Sequence, residues 1–264
     1  MNVLIEIVAD TRAAVARRAA AVPLPTLVEA GEQRRAGIDA IRDFRGALAA
    51  PHLSLIAEHK RSSPSAGVIR ADLELADVVG AYERGGARAL SVLTEEGRFG
   101  GRLEDLAAAR AAAGLPILRK DFIVEEYQVY EALAGGADAI LLIVAALETG
   151  ALIRLHSLAT QLGLATLVEV HDAIELDAAH EIGAEIVGIN NRDLTTLEVD
   201  IERTYELAPE VRDGALVVAE SGFRGHAQLV RLEQAGVDAV LIGEALMRAP
   251  DIEAAARDLL GSGA

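Results

Sequence analysis

The chain has 264 residues, with 25 basic and 41 acidic side chains and a formal net charge of -16. Apolar residues make up 52% of it, which excludes a disordered chain, and the length suits one α/β barrel or two ordinary domains. The acidic excess argues against a nucleic-acid surface, and the absence of cysteine excludes disulfides and thiolate chemistry.

The N-terminal segment and the most apolar run bear on where the protein resides. Glu6 and Asp10 stand where a secretory signal would carry positive charge. The run from Ala139 to Leu147 has nine residues, too few to span a bilayer. We therefore expect a cytoplasmic protein with no membrane partner.

Residues 1–50 precede the first predicted strand and are expected to form an N-terminal helical extension. The spacing of Leu4, Ile7 and Val15 predicts an amphipathic helix, which Pro23 breaks. Such an extension either caps the bottom of the following domain or packs on its outside, or it lies near the mouth, and the sequence leaves these placements open.

Eight short apolar runs, separated by helical stretches, follow the extension. Their starts are 21 to 35 residues apart, which is the length of a βαβ repeat, and strands buried on both faces read as continuous apolar runs. Because no Pro/Gly/Ser-rich linker divides them, they predict one (β/α)8 TIM barrel over residues 51–264, in a single domain with the extension, rather than two doubly wound sheets. The predicted strands are Ser54–Glu58, Ala89–Leu93, Pro116–Lys120, Ala139–Ile143, Ala165–Val170, Ile186–Asn190, Leu216–Glu220 and Ala239–Ile242.

Charged and amide side chains stand at the carboxyl ends of the predicted strands, where barrel enzymes carry their chemistry. Because side chains alternate along a strand, Glu58 and Lys60 share the face opposite His59. A structural ion pair would explain one pair of such residues but not the whole set. The set is Glu58, Lys60, Lys120, Glu169, Asn190 and Glu220.

The two lysines are a compositional signal. Of the 25 basic residues 23 are arginine, and Lys60 and Lys120 are the only lysines. A bias toward arginine would have replaced them too, unless their ammonium must give up a proton, which arginine does not do. We expect burial to lower the pKa of such a lysine, so that it serves in acid–base chemistry near neutral pH.

Small residues in three loops point to a phosphate group. A serine-rich loop, 62–67, follows the first strand, and Gly222 and Gly243 follow the seventh and eighth. A turn explains any one of these glycines, but the loops after strands seven and eight of a barrel often bind phosphate through backbone N–H groups. A phosphorylated small molecule is therefore the expected substrate.

Nothing in the sequence indicates a cofactor. The six histidines show no HExxH or facial-triad spacing, and His171, two residues after Glu169, is expected to have a surface or supporting role rather than to bind metal. No GxGxxG opens a helix, and there is no GxxxxGKS or GxxxxGKT. Neither a metal nor a nucleotide cofactor is expected.

Six segments at the strand ends carry a resemblance to a known family. They are 56–65 (IAEHKRSSPS), 116–123 (PILRKDFI), 167–171 (LVEVH), 188–194 (GINNRDL), 219–222 (AESG) and 241–247 (LIGEALM). In this order, and over essentially the whole chain, they resemble the indole-3-glycerol phosphate synthase family. A generic phosphate-binding barrel would share only the late glycines.

The resemblance implies a cofactor-free lyase of tryptophan biosynthesis. Its substrate would be 1-(2-carboxyphenylamino)-1-deoxyribulose 5-phosphate, which closes to an indole with loss of carbon dioxide and water. By similarity Lys120 is the general acid that protonates the substrate carbonyl, and Glu169 is the base of the dehydration. Lys60 neutralises the substrate carboxylate, and which lysine acts as acid at which step stays open.

The resemblance also implies positioning and binding residues. Glu58 and Asn190 position reacting groups, and Glu220 supports the lysines. The binding residues are Arg192 and Ser221 for the anthranilate end or its hydroxyls, Phe99 and Phe122 beside the aromatic ring, and Ser63, Gly222, Gly243 and the Glu244 backbone for the phosphate.

Two positions depart from the family pattern. Ala66 stands where many relatives carry lysine, and Arg102 stands where a small serine is usual. Both fall in loops that could move over the site, so they bear on loop closure rather than on the activity.

Two other functions stay open on the residues alone. A phosphosugar isomerase barrel, such as phosphoribosylanthranilate isomerase, would use a catalytic cysteine, which this chain lacks. A non-catalytic phosphate-binding scaffold would have no use for the acids and bases at the strand ends. Neither a nucleic-acid partner nor an obligate protein partner is implied.

Overall fold

Eight parallel strands form a closed barrel in the computed structural model, which describes residues 3–37, 40–63, 67–70 and 72–261. Each strand pairs with its neighbours in the chain, and the eighth pairs with the first. The predicted (β/α)8 TIM barrel is therefore confirmed. The strands are β1 (Ser54–His59), β2 (Ala89–Leu93), β3 (Ile117–Lys120), β4 (Ala139–Ile143), β5 (Ala165–Val170), β6 (Ile186–Asn190), β7 (Leu216–Glu220) and β8 (Ala239–Ile242).

All strands except β1 and β3 have the predicted bounds. β1 extends to His59, which pairs with Val92 of β2. β3 begins after Pro116, because proline has no N–H to donate to the neighbouring strand. A short antiparallel pair, Ser62–Ser63 with Gly67–Val68, follows β1.

Three helices form the extension, and the others follow the strands around the barrel. None of the described helices is long and apolar enough to cross a membrane. The extension contains α1 (Val3–Ala21), α2 (Leu24–Ala36) and α3 (Phe44–Leu48). The others are α4 (Leu75–Arg84), α5 (Glu104–Ala112), α6 (Glu126–Gly135), α7 (Thr149–Leu162), α8 (Ala173–Glu181), α9 (Glu202–Leu207), α10 (His226–Gln234), α11 (Glu244–Met247) and α12 (Ile252–Leu259).

The extension reaches from the mouth of the barrel to its bottom. Leu4 and Ile7 of α1 line the mouth, and α2 packs on α6 along the side. Phe44 and Leu48 of α3 join the apolar interior at the bottom, where the Ser54 hydroxyl donates to the Leu48 carbonyl. Different helices of the extension therefore occupy each placement that the sequence left open: α1 lies at the mouth, α2 packs on the outside and α3 lies at the bottom.

A buried aspartate ties the extension to the bottom of the barrel. Asp138, directly before β4, accepts hydrogen bonds from Arg34 Nη2 of α2 at 2.6 Å and from the Arg42 backbone N–H at 2.9 Å. Arg110 Nη1 of α5 and the Ile117 backbone N–H donate to the same carboxylate, each at 2.9 Å. One carboxylate thus joins two helices, a connecting segment and the start of β3.

Candidate active site

A cavity of about 380 Å³ opens at the carboxyl ends of the strands. Its volume lies in the range of small-molecule sites. Every residue predicted for the site lines this one cavity, although most come from different strands or the loops that follow them. They are Glu58, Lys60, Ser63, Phe99, Lys120, Phe122, Glu169, Asn190, Arg192, Glu220, Ser221, Gly222, Gly243 and Glu244.

The Lys120 ammonium lies between two carboxylates. Its Nζ is 3.0 Å from Oε2 of Glu169 and 3.0 Å from Oε2 of Glu220, because β3, β5 and β7 converge at the mouth. Burial alone would lower the pKa of Lys120, but the charges of Glu169, Glu220 and Glu58 outweigh it and raise the pKa. The lowered pKa predicted from the sequence is therefore wrong for Lys120, which holds its proton at neutral pH.

The two carboxylates beside Lys120 differ in ionisation. Burial alone would raise the pKa of Glu169, but the charges of Lys120 and His171 lower it. Burial raises the pKa of Glu220 to about 7, and the charges of Glu169 and Glu58 add to this effect against that of Lys120. Glu169 is therefore the ionised carboxylate, and Glu220 the one that holds a proton up to neutral pH.

Lys60 pairs with Glu58 on the same face of β1, as the alternation of side chains predicts. Lys60 Nζ lies 2.7 Å from Glu58 Oε1. His59 points to the opposite side and is buried; desolvation lowers its pKa to about 4, so its ring is neutral. The cavity therefore holds three lysine–carboxylate contacts, one at the end of β1 and two made by Lys120 of β3.

Two glycines make room for these carboxylates. A Cβ on Gly243 would overlap Oε1 of Glu58 and come within 3.0 Å of its Cβ. A Cβ on Gly188 of β6 would likewise overlap Oε1 of Glu220. The sequence argument assigned Gly243 to phosphate alone and missed Gly188, although a glycine inside a strand signals the close approach of another group.

The backbone after β7 turns through two left-handed residues. The φ angles are 64° at Ser221 and 95° at Gly222. A left-handed conformation costs a residue such as serine about 1–3 kcal/mol, and it persists where the surroundings hold it. Asn191 supplies one such hold, because its Nδ2 donates to the Ser221 carbonyl at 3.0 Å.

Apolar residues that the sequence did not assign to the site complete the walls of the cavity. α1 is held over the mouth by Arg98, whose Nη2 lies 3.2 Å from Glu6 Oε2 and 3.7 Å from Asp10 Oδ2. Arg98 directly precedes Phe99, so this contact joins α1 to the loop that carries a ring into the cavity. The apolar residues missed include Val3, Leu4, Ile7, Leu194, Leu197, Val199, Ile201 and Phe223.

The structure describes one of the two departures from the family pattern. Arg102 is exposed and is not among the residues that line the cavity. Ala66 lies outside the described residues. Within the ranges that the structure describes, no group of three or more His, Asp or Glu side chains could hold a metal ion.

Comparison with known proteins decides the family. The family model for indole-3-glycerol phosphate synthase matches residues 4–259. The chain belongs to the indole-3-glycerol phosphate synthase family. The resemblance drawn from the strand-end segments is confirmed, and membership places the chain among the carboxy-lyases of tryptophan biosynthesis.

Curated indole-3-glycerol phosphate synthases match over nearly their whole length. The one from Mycolicibacterium vanbaalenii is 47% identical over 263 residues, covering 100% of this chain and 95% of its own. The one from Streptomyces griseus is 48% identical over 264 residues, covering 100% of this chain and 97% of its own.

Solved structures with low sequence identity show the same fold. A 3-hexulose-6-phosphate synthase superposes with a TM-score of 0.65 at 18% identity, covering 80% of this chain and 100% of that one. A chain of tryptophan synthase from Pyrococcus furiosus gives 0.60 at 16% identity, covering 79% and 98%. At these identities the likeness extends to the barrel alone.

Proposed function

We propose that this chain converts 1-(2-carboxyphenylamino)-1-deoxyribulose 5-phosphate to indole-3-glycerol phosphate, with Lys120 as general acid and Glu169 as base. The observation that carries this assignment is the Lys120 ammonium held 3.0 Å from both Glu169 and Glu220 inside the cavity. A phosphorylated small-molecule substrate fits the family. The cytoplasmic location and the lack of a macromolecular partner stay predictions.

Ring closure requires a proton donor at the substrate carbonyl. Attack by the ring carbon places negative charge on the carbonyl oxygen, and the Lys120 ammonium supplies the proton there. The carbon–carboxylate bond then breaks, carbon dioxide leaves and the bonding electrons return to the ring. Lys60, 2.7 Å from Glu58, neutralises the substrate carboxylate until it departs.

Dehydration requires a base and the return of a proton. The substrate hydroxyl takes a proton from a lysine ammonium and leaves as water, and Glu169 takes the proton that the ring system loses. The lowered pKa of Glu169 means that it is ionised and able to accept. Glu220, with a pKa of about 7 and an oxygen 3.0 Å from Nζ, can restore the proton of Lys120. Glu58 and Asn190 position the reacting groups.

The remaining lining residues bind the two ends of the substrate. Arg192 and Ser221 hold the anthranilate end or its hydroxyls. The Glu244 side chain is engaged by Arg248 Nε at 3.0 Å, so its charge is partly balanced where its backbone N–H would meet the phosphate. Ser63, Gly222 and Gly243 share the phosphate with it, and Phe99 and Phe122 flank the aromatic ring.

A turnover assay tests the reaction. Purified protein is mixed with the carboxyphenylamino substrate without added metal, and formation of the indole is followed by absorbance or fluorescence. We expect indole to appear, and Glu169→Gln to lower kcat by roughly 10²- to 10⁴-fold with little change in KM. Glu181→Gln, at an exposed glutamate of α8, is the matched control and should be unaltered.

Two results would overturn parts of this proposal. No product at micromolar concentrations of folded enzyme would favour the phosphate-binding scaffold. Normal turnover by Glu169→Gln would exclude Glu169 as the base and leave Glu58 as the better candidate.

A further inference from the structure

Two buried polar atoms face each other on the far side of Glu169 from Lys120. Lys120 engages Oε2 of Glu169, while the buried Oε1 has no closely placed hydrogen-bond donor among the described residues. The Asn190 side chain also acts on this carboxylate and helps to lower the pKa of Glu169. The Nε2 atom of His171 is also buried without a partner, 3.5 Å from that Oε1. His171 does not line the cavity, so its ring meets the site only through Glu169.

The ring of His171 is held from its other edge by Glu175. The Oε2 atom of Glu175 accepts from the His171 backbone N–H at 2.8 Å and lies 2.9 Å from Nδ1. Glu175 lies in the first turn of α8, where a carboxylate often accepts from the backbone just before the helix. That local role explains the bond to the backbone, but not why the ring turns its Nε2 toward Glu169.

The charges around the ring favour its cationic form. The groups that face it are Glu169 of β5, Glu175 of α8 and Arg203 of α9. Burial alone would lower the pKa of His171, but the hydrogen bond to Glu175 and the charges of both carboxylates outweigh burial and Arg203, and raise it. His59, also buried near the mouth, has its pKa lowered to about 4, so burial alone does not produce this cation.

We propose that His171 is a positioning residue for Glu169, donating from Nε2–H to Oε1 while Lys120 holds Oε2. This proposal rests on the proposed roles of Lys120 and Glu169. When Lys120 gives its proton to the substrate, the positive charge beside Oε2 disappears. The His171 imidazolium remains at Oε1, so Glu169 stays fixed and ionised for the dehydration.

The first test measures the coupling directly and needs no substrate. The ring C–H signals of the histidines are titrated by NMR in the ligand-free protein. The signal that disappears in His171→Asn is assigned to His171. We expect the pKa of His171 to lie above that of a free histidine and to fall in Glu169→Gln and in Glu175→Gln. A His171 pKa unmoved by Glu169→Gln would refute the contact, whether or not the protein turns over substrate.

The second test separates positioning from a structural role by the pH profile. In His171→Asn the acidic limb of kcat/KM should move to higher pH, with about a tenfold loss at the acidic end and less than about twofold at the plateau. KM at the plateau should be unchanged, since His171 lies outside the cavity. A loss of equal size at every pH would show a merely structural role and overturn the proposal.

Two further variants complete the design. Glu175→Gln retains an oxygen for the backbone N–H but removes the charge, so it should also move the acidic limb of kcat/KM to higher pH. Combined with His171→Asn in a double variant, it should cause no further shift. His156→Asn, on α7, is the matched control because the charged groups that face it are Glu185 and Arg212. This control should leave the pH profile unchanged. Additive shifts from Glu175→Gln and His171→Asn would contradict the proposal that Glu175 acts on Glu169 through the His171 ring.

Discussion

At the scale of single residues, Lys120 tests whether charge or proton transfer matters. Lys120→Arg keeps the positive charge, but a guanidinium cannot act as an acid near pH 7. We expect kcat to fall at least about a hundredfold, while substrate binding weakens by only about 1–2 kcal/mol and the melting temperature changes little. Steady-state kinetics and thermal unfolding measure both.

Lys60→Arg is the matched comparison for that prediction. Because Lys60 is assigned to neutralising a carboxylate, arginine should replace it with a much smaller loss of kcat. Near-normal turnover by Lys120→Arg together with an inactive Lys60→Arg would transfer the general-acid role to Lys60.

Glu220 links folding to pH in the range up to neutral. Its pKa of about 7 lies above the usual value of a glutamate in an unfolded chain, so between these values the folded protein keeps a proton that the unfolded chain has lost. This contribution to stability is complete below the unfolded pKa and is lost as the pH rises to about 7. Burial of the carboxyl group is the main cause.

Glu220→Gln should remove that pH dependence. The free energy of unfolding in urea is compared at about pH 5 and about pH 7.5. We expect the stability of the variant relative to the natural protein to increase as the pH rises. Glu181→Gln, at an exposed position, should show a constant difference. A constant difference for Glu220→Gln as well would mean that Glu220 titrates at its ordinary pKa.

At the scale of elements, α1 provides part of the cavity wall without taking part in the barrel. Arg98→Ala removes its contacts with Glu6 and Asp10, which are partly exposed and so worth about 0–1 kcal/mol each. We expect KM to rise several-fold with only a small fall in melting temperature. Arg12→Ala, which removes the exposed contact of the same helix with Glu125, should change neither.

The position of α1 shows where prediction from the sequence stops. The strands were predictable because burial on both faces leaves a continuous apolar run, and the barrel then brings their carboxyl ends together. An apolar face on a helix predicts that the helix packs, but not on which surface. Val3 and Leu4 therefore carried no sign of the cavity they line.

The pKa values of the site residues were less predictable from the sequence than the identity of the residues that line the cavity. The pKa of Lys120 depends on carboxylates from three other strands. The spacing of these residues along the chain does not give their distances from the ammonium. Gly188 was missed because it acts by having no side chain. For His171 the sequence left a surface and a supporting role open, since its contact with Glu169 through one ring atom depends on the fold.

At the scale of the whole molecule, Asp138 joins the extension to the barrel, and we predict that the two unfold as one unit. Asp138→Asn leaves Arg34 and Arg110 without their buried carboxylate, and losing one partner of such a buried cluster costs about 3–5 kcal/mol. We expect a single unfolding transition at lower denaturant, measured by helix signal and by a probe on α2. Separate transitions would show that the extension unfolds independently.

Asp238 provides the control for this prediction. It stands before β8 as Asp138 stands before β4, and it accepts a hydrogen bond from the Val217 backbone N–H at 2.7 Å. Because that contact is one ordinary hydrogen bond, Asp238→Asn should cost only about 1 kcal/mol. Equal losses in both variants would mean that the arginines contribute nothing.

The confinement of both lysines to the cavity has a practical consequence for labelling. Apart from the α-amino group, every primary amine of the chain belongs to Lys60 or Lys120. Reductive methylation with isotope-enriched formaldehyde acts on neutral amines, so Lys120, which holds its proton, reacts slowly, and labelling at raised pH attaches reporters to the cavity without any engineered residue. Each side-chain signal in the NMR spectrum then comes from the site. An occupant of the cavity would shift both signals and slow their labelling, so amine chemistry alone can count and rank ligands for this protein.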